Sequence, residues 1–468
     1  MEQFDKIVIG SGQAAPALAA QLAKRGFRVA LIEGDQLGGT CVNNGCTPTK
    51  TLRKSAKVAH MVKHAEEFGV SAGDVQIDFL AAMERMRERV NTSRAGLTQW
   101  LNSFDNIEVI FGWGQIAGKD GDKFLVDVDG RRLAAPDVFL NTGTRSFTPP
   151  VTGLDSVRHL DNRGLLALNE RPSHLVIVGG SYIGLEMAQI FRRLGSEVSI
   201  LHRADALAER EDPDVSDIIA DMMKDEGVNL YLEAAMTSLA PTDNGGVTVT
   251  LGNGEVLEAS HILFATGRVP NTENLALESV GVERDDRGYI KTNPQLQTNV
   301  PGIWALGDVN RRGAFTHTSY HDHEIVLASL DGMQDLYQWK GADQRPTTYA
   351  MFTDPPLGRV GLSMTDAKKR VAEGQNILIS DMKMANVSRA KEESETRGLI
   401  RLIVDGDTEQ FLGATVFGLN GDEIISVITN YMATGASYRI MQQALPVHPT
   451  VSELLPTILA GLKPLTAE

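Results

Sequence analysis

Cysteine occurs twice in the 468-residue chain, at Cys41 and Cys46, inside the run Gly38-Gly39-Thr40-Cys41-Val42-Asn43-Asn44-Gly45-Cys46-Thr47-Pro48-Thr49-Lys50. A chain that uses the residue nowhere else has little packing reason to place two copies five positions apart. Thiols this close can close into a small ring, and a thiolate attacking the ring reopens it. Thr47-Pro48 predicts a helix start, with Thr at the N-cap and Pro at the first helical position. Cys46 would then sit just before a helix N-terminus, where the dipole favours a thiolate. Two unconnected buried thiols, or half of a zinc site, are the alternatives. Zinc would want two more ligands at short spacing, and none follow nearby.

Two further stretches carry phosphate-binding chemistry. The first is a strand over 6–9, the turn Gly10-Ser11-Gly12-Gln13-Ala14-Ala15, a helix over 16–25 and a strand over 28–32 ending at Glu33. Gly10 makes the tight turn and Gly12 lets the backbone approach a pyrophosphate at the helix N-terminus. Ala15 takes the third glycine position, and Glu33 would accept hydrogen bonds from a ribose. The second is a strand over 175–178, the turn Gly179-Gly180-Ser181-Tyr182-Ile183-Gly184, a helix over 185–194 and a strand over 197–201. Ser181 stands where the middle glycine is expected. Two such units imply two dinucleotides. After the second strand come His202 and Arg203, with Arg210 close behind and no acid at the strand end. Cations there suit a 2′-phosphate, whereas an acid would suit a free 2′-hydroxyl, so NADPH is expected over NADH.

The Cys run resembles the active-site signature of the FAD-dependent pyridine nucleotide-disulfide oxidoreductases, which include lipoamide dehydrogenase, glutathione reductase and mercuric reductase. The resemblance covers nearly the whole chain. It implies an α/β fold with two Rossmann-like dinucleotide-binding domains and a C-terminal α+β dimerisation domain. FAD would occupy residues 1–150 and 271–346, the nicotinamide cofactor 151–270, and the homodimer interface 347–468. Gly39, Thr40, Thr142, Gly143 and Asp308 become flavin contacts, with Gly267 at the end of the nicotinamide unit. Lys50 and Glu186 would pair beside the flavin, and Tyr182 would gate the nicotinamide pocket. His448 and Glu453 would form an acid–base dyad completed across the dimer. Electrons would run from the nicotinamide through FAD to the Cys pair, with Cys46 facing the flavin and Cys41 exchanging with the acceptor.

The stretch 201–227 is most similar to the mercuric reductase branch. No further cysteines exist to hand a metal ion inward, however, and His448 departs from that enzyme. The acceptor would be a disulfide, a copper or mercuric ion, or an oxidant-derived species. Dihydrolipoamide dehydrogenase is the enzymatic alternative, and a flavin-bearing redox sensor or scaffold with little turnover is the alternative from another class. His317 and His321, four apart with His323 nearby, could share a helix face as metal ligands do. No third ligand is specified, so no metal is expected.

Length predicts two to four domains. The net charge of −15 disfavours nucleic acid and anionic membranes as partners. No long apolar run suggests a membrane span and no signal precedes the first strand, so a reducing cytoplasm is expected, where a disulfide is more often catalytic than structural. Residues 65–105 read as helical, with Arg85, Arg87 and Arg89 on a solvated face, and 391–395 reads as a solvated loop.

Overall fold

The strand Lys6–Ile9 is buried at every position because its neighbours cover both faces. In the computed structural model, which describes residues 1–333 and 341–467, Lys6–Ile9 is the middle of a five-stranded parallel sheet. The order is Ile303–Ala305, Asp137–Leu140, Lys6–Ile9, Val29–Glu33, Ile107–Phe111. The helix Ala14–Lys24 buries Ala14, Ala15, Ala19, Ala20 and Ala23, small residues that let it close onto its neighbours. A four-stranded sheet that includes the hairpins of Gly114–Asp120, Lys123–Val128 and Arg131–Ala135 packs beside it.

The second parallel sheet runs His159–Leu160, His261–Phe264, His174–Val178, Glu197–Leu201, Asn229–Tyr231. Its helix is Tyr182–Arg193, and an antiparallel sheet of Met236–Pro241, Val247–Leu251 and Val256–Ala259 lies alongside. The C-terminal region is a six-stranded antiparallel sheet in which Leu399–Asp405 is buried throughout, covered by the helices Gly421–Thr434 and Leu455–Ala460. The fold is therefore α/β with two Rossmann-like units and an α+β C-terminal region. Among the described residues, no helix is long and apolar enough to cross a membrane.

Several local expectations are corrected. Residues 65–105 are not one helical stretch: a 3-10 turn at Ala65–Phe68 precedes a loop, and the helix is Phe79–Leu101, capped by Asp78 accepting from the Ala81 N–H. Arg85 and Arg89 are exposed as expected, while the half-buried Arg87 donates to the Leu168 carbonyl. The run 391–395 is partly helical, and Glu395 pairs with Lys57 at 3.1 Å.

Asn141 joins the sheet to the first glycine turn. Its Oδ1 accepts from the Ala15 N–H at 3.2 Å and its Nδ2 donates to the Leu306 carbonyl at 2.7 Å, while the residue is 4% exposed. Asn141→Ala takes the amide donor from the buried Leu306 carbonyl, at a cost of about 1–3 kcal/mol, while the Ala15 N–H keeps the Gly12 carbonyl at 3.1 Å. Its thermal unfolding midpoint should fall, and a dinucleotide held at the first glycine turn should dissociate more readily in dilution. An unchanged midpoint and unchanged retention would show that the contacts are not needed.

Candidate active site

Both cysteines lie on helices. Cys41 is in the short helix Gly39–Asn44, and Cys46 is the first residue of the helix Cys46–Lys63. The expected Thr47 cap is absent: Gly45 is the boundary residue, with φ −135° and ψ −112° and no side-chain cap. A Cβ on Gly45 would meet the Thr40 carbonyl oxygen at 2.8 Å, so the chain can bend here only at glycine. Pro48 falls in the first helical turn, where its missing N–H breaks no helical hydrogen bond. Asn43 pins the short helix by donating to the Gln36, Leu37 and Gly39 carbonyls, and Asn162 donates to the Asn44 carbonyl.

The two thiols are free and unequal. Cys41 donates a hydrogen bond to Cys46, which brings the Cys46 thiol down to about 6 against the upward pull of burial. The Thr316 hydroxyl, 3.1 Å from the Cys46 sulfur, and the Lys50 charge act in the same direction. Cys41 is pushed strongly up by that same hydrogen bond and by burial. Lys50 Nζ lies 2.8 Å from Glu186, whose side chain is 4% exposed. Glu186 also accepts from the Phe352 N–H at 2.9 Å, and the Phe352 ring lies 4.4 Å from Lys50 Nζ. Three distant segments therefore meet beside Cys46. Thr316 and Phe352 were not singled out in the sequence. Thr316 stood unread within the His-rich run, and no local signal marks Phe352.

The first glycine turn is a cradle. Gly10 has φ 92°, and a Cβ there would meet the Asn141 carbonyl oxygen at 2.4 Å. A Cβ on Gly39 would lie 2.9 Å from the Gly12 Cα, so the Cys segment is pressed against this turn. Glu33 accepts from the Ser11 N–H at 2.9 Å and the Asp35 N–H at 2.8 Å. Ala15 is fully buried at the helix start. At the other end, Asp308 accepts from the Thr144 hydroxyl at 2.9 Å, and burial pushes its carboxyl up against the pull of Arg268. Thr142 spends its hydroxyl on the Asn271 carbonyl, while Gly143, at φ 66°, faces open space.

In the second unit, a Cβ on Gly179 would meet the Ala265 carbonyl oxygen at 2.4 Å, and one on Gly184 the Gly179 carbonyl oxygen at 2.0 Å. Ser181 is exposed at the helix start without capping it. Tyr182 has its hydroxyl pushed up to about 12 by burial, and its ring lies 5.9 Å from that of Phe315. Gly267, at φ 129°, faces open space. Arg203 and Arg210 are exposed. His202 accepts from the Gly180 N–H at 3.2 Å, and its Nε2 lies 2.8 Å from the Glu209 carboxylate without being hydrogen-bonded to it. An acid is thus present in space at this strand end, although the linear reading found none.

His448 and Glu453 pair at 2.8 Å through Nδ1, with the imidazole 77% exposed. No hydrogen bond joins them to the cysteines. Exposed Ile440, Leu445 and Val447 lie nearby in sequence. His317 Nε2 donates to the Thr348 carbonyl and His323 Nδ1 to the Tyr320 carbonyl. Among the described residues, no three His, Cys, Asp or Glu side chains are arranged to hold a metal ion.

Residues 4–322 match the family model described as pyridine nucleotide-disulphide oxidoreductase, and residues 347–458 match its dimerisation domain. The chain belongs to this family. It is 34% identical to the probable pyridine nucleotide-disulfide oxidoreductase RclA of Escherichia coli strain K12, covering 99% of this chain and 100% of that protein. A solved RclA structure, described as an HOCl-induced flavoprotein disulfide reductase, superposes with a TM-score of 0.86 at 34% identity, covering 97% of this chain and 99% of the other. The dihydrolipoyl dehydrogenase of Chlamydia muridarum is 31% identical over 97% of this chain and 95% of its own length. The mercuric reductase of Lysinibacillus sphaericus is 29% identical over 97% and 81%.

The chain is thus an FAD-dependent pyridine nucleotide-disulfide oxidoreductase, using FAD and a pyridine nucleotide. The dimerisation-domain match supports a homodimer. The glycine cradle and the open backbone at Gly143 suit an extended dinucleotide, so the residues present fit FAD.

Alkylation of reduced protein with iodoacetamide checks the thiol assignment. Cys46 should react with a pH midpoint near 6, and Cys41 should titrate far above it. The reactive thiolate is the form present above the depressed value, so the rate falls as pH drops through 6. Thr316→Val should move the midpoint up. Equal titration of both thiols would refute the inequality.

Proposed function

We propose that this oxidoreductase takes electrons from NADPH and delivers them through the Cys41–Cys46 pair to a small disulfide in the cytoplasm. The observation that carries the reading is the unequal pair: a thiolate at Cys46 beside Lys50 and Thr316, and a protonated thiol at Cys41. Bound FAD supplies hydride acceptance and two-electron transfer. Gly10, Gly12, Ala15, Glu33, Gly39, Thr40, Thr142, Gly143 and Asp308 hold it. Lys50, fixed by Glu186, places a cation where negative charge develops. Cys46 would face the flavin, and Cys41 would exchange with the acceptor. His448, held by Glu453 and supplied from the second subunit, takes the Cys41 proton and returns one to the leaving thiol. Gly179, Ser181, Gly184, Glu186 and Gly267 shape the nicotinamide site, with Tyr182 as its gate.

A second reading of the acceptor has one observation behind it: RclA has been solved as a Cu(II) complex. Copper(II) is therefore the metal ion to assay beside disulfides, ahead of mercuric ion. Dihydrolipoamide is the reductant to assay in reverse. Absence of turnover with every acceptor would favour a redox sensor.

His448→Ala should leave flavin reduction by NADPH fast and lower disulfide turnover by about 10²–10⁴. Equal slowing of both half-reactions would sink the dyad. For the cofactor, His202, Arg203 and Arg210 favour a 2′-phosphate, while Glu209 opposes it. Arg203→Glu removes a charge-assisted hydrogen bond worth about 1.5–3 kcal/mol, so NADPH binding should weaken by roughly tenfold to a hundredfold with NADH spared. Equal loss with both cofactors would overturn the preference.

A further inference from the structure

Residues 202–212 form the irregular segment after the strand Glu197–Leu201, and they press against the second glycine turn. The Ala208 N–H donates to the Gly180 carbonyl at 2.8 Å, and a Cβ on Gly180 would meet Leu207 at 2.6 Å and the His202 ring at 2.9 Å. Leu207 and Ala208 are buried and backbone bonds tie His202 and Ala204 to residues 231–234, but the Arg203, Asp205, Glu209 and Arg210 side chains are exposed.

Its end, residues 210–212, is held from the C-terminal region. Glu211 and Arg359 side chains are each 6% exposed and pair at 2.9 Å. The same Arg359 nitrogen donates to the Arg210 carbonyl at 2.8 Å, and the Tyr349 hydroxyl donates to the other Glu211 oxygen. The next residue, Asp212, accepts from the Met364 and Thr365 N–H groups at 3.1 Å and from Arg401 at 2.9 Å. A buried carboxylate is tolerated only when paired and hydrogen-bonded, so each partner constrains the segment. The Tyr349 ring is stacked on Phe315 at 5.4 Å with 3° between planes, and Phe315 lies against Tyr182.

We infer that Arg359 and Tyr349 are positioning residues for pyridine-nucleotide binding: they act through Glu211 and the Arg210 carbonyl to hold the adenosine-side segment in its binding shape. Neither touches the reacting atoms. The inference rests on the second glycine turn being the nicotinamide-cofactor site, but not on the choice between NADPH and NADH. It predicts that loss of the clamp weakens only ligands that possess an adenosine half.

Flavin reduction by NADPH, NADH and reduced nicotinamide mononucleotide, measured by rapid mixing with the holoenzyme, tests it. Arg359→Met should raise the half-saturating concentration of both dinucleotides about tenfold, the worth of one charged hydrogen bond. The limiting reduction rate and the response to the mononucleotide should stay as in the unaltered enzyme. Arg359→Lys, which keeps the cation, should recover most of the loss. Tyr349→Phe removes one hydroxyl and should give a smaller shift in the same direction, which keeps the test open if Arg359→Met does not fold. Unchanged dinucleotide binding, or equal weakening of the mononucleotide, overturns the inference. If the unaltered enzyme binds the mononucleotide as well as the dinucleotides, the site assignment itself fails instead.

Discussion

The Glu186 carboxylate is the constraint on which the arrangement depends. It is almost fully buried, and it accepts from Lys50 on the cysteine helix and from the Phe352 backbone at the start of the C-terminal region. Removing one partner of a buried charge costs about 3–5 kcal/mol, because the other is left without compensation. The helix that carries Glu186 therefore cannot leave either neighbour cheaply. Asp354 repeats the device one layer away: against the cost of burial, Arg193 and Lys57 hold it below the usual carboxylate range. Gln189 completes that second junction by donating to the Asp354 carbonyl and accepting from its N–H. Three chain segments far apart in sequence are thus set against one another by charge, and the cysteine pair lies at their meeting point.

Much of this was legible from the chain itself. The strand–turn–helix units around Gly10 and Gly179 announce themselves because backbone sterics demand glycine at particular points within a short span. The cysteine pair was equally plain, since two thiols in so long a chain have few other uses. Local rules failed where tertiary contacts outweighed them. Thr47 has the chemistry of a cap, yet the helix starts two residues earlier because Gly45 can take the bend and Cys46 can begin the turn. Asn141, Thr316, Phe352 and Arg359 were invisible because each acts on a partner more than a hundred residues away. Glu209 was missed for a milder reason: an acid seven positions beyond His202 folds back onto it.

The C-terminal region reaches the active site by two routes. Through Phe352 it steadies Lys50 and Glu186, and through Tyr349 and Arg359 it steadies the segment behind the second glycine turn. His448 is different, because it stands at the surface with Glu453 as its hydrogen-bond partner, on a stretch whose apolar residues lie open. Within one chain, Cys46, Lys50, Glu186 and Thr316 are brought together, and His448 stands apart with Glu453.

The inequality of the two thiols sets how many protons accompany the electrons. With Cys46 down at about 6 and Cys41 raised, the reduced pair at neutral pH carries one negative charge. Closing and opening the ring then exchanges two electrons for one proton above that point, and for two below it. By the two-electron relation, the pair's reduction potential falls about 30 mV per pH unit in the neutral range and about 59 mV per unit in acid. The Cys41 thiol, the Thr316 hydroxyl and the Lys50 charge, by holding Cys46 down, thus halve the sensitivity of the pair's reducing power to the acidity around it.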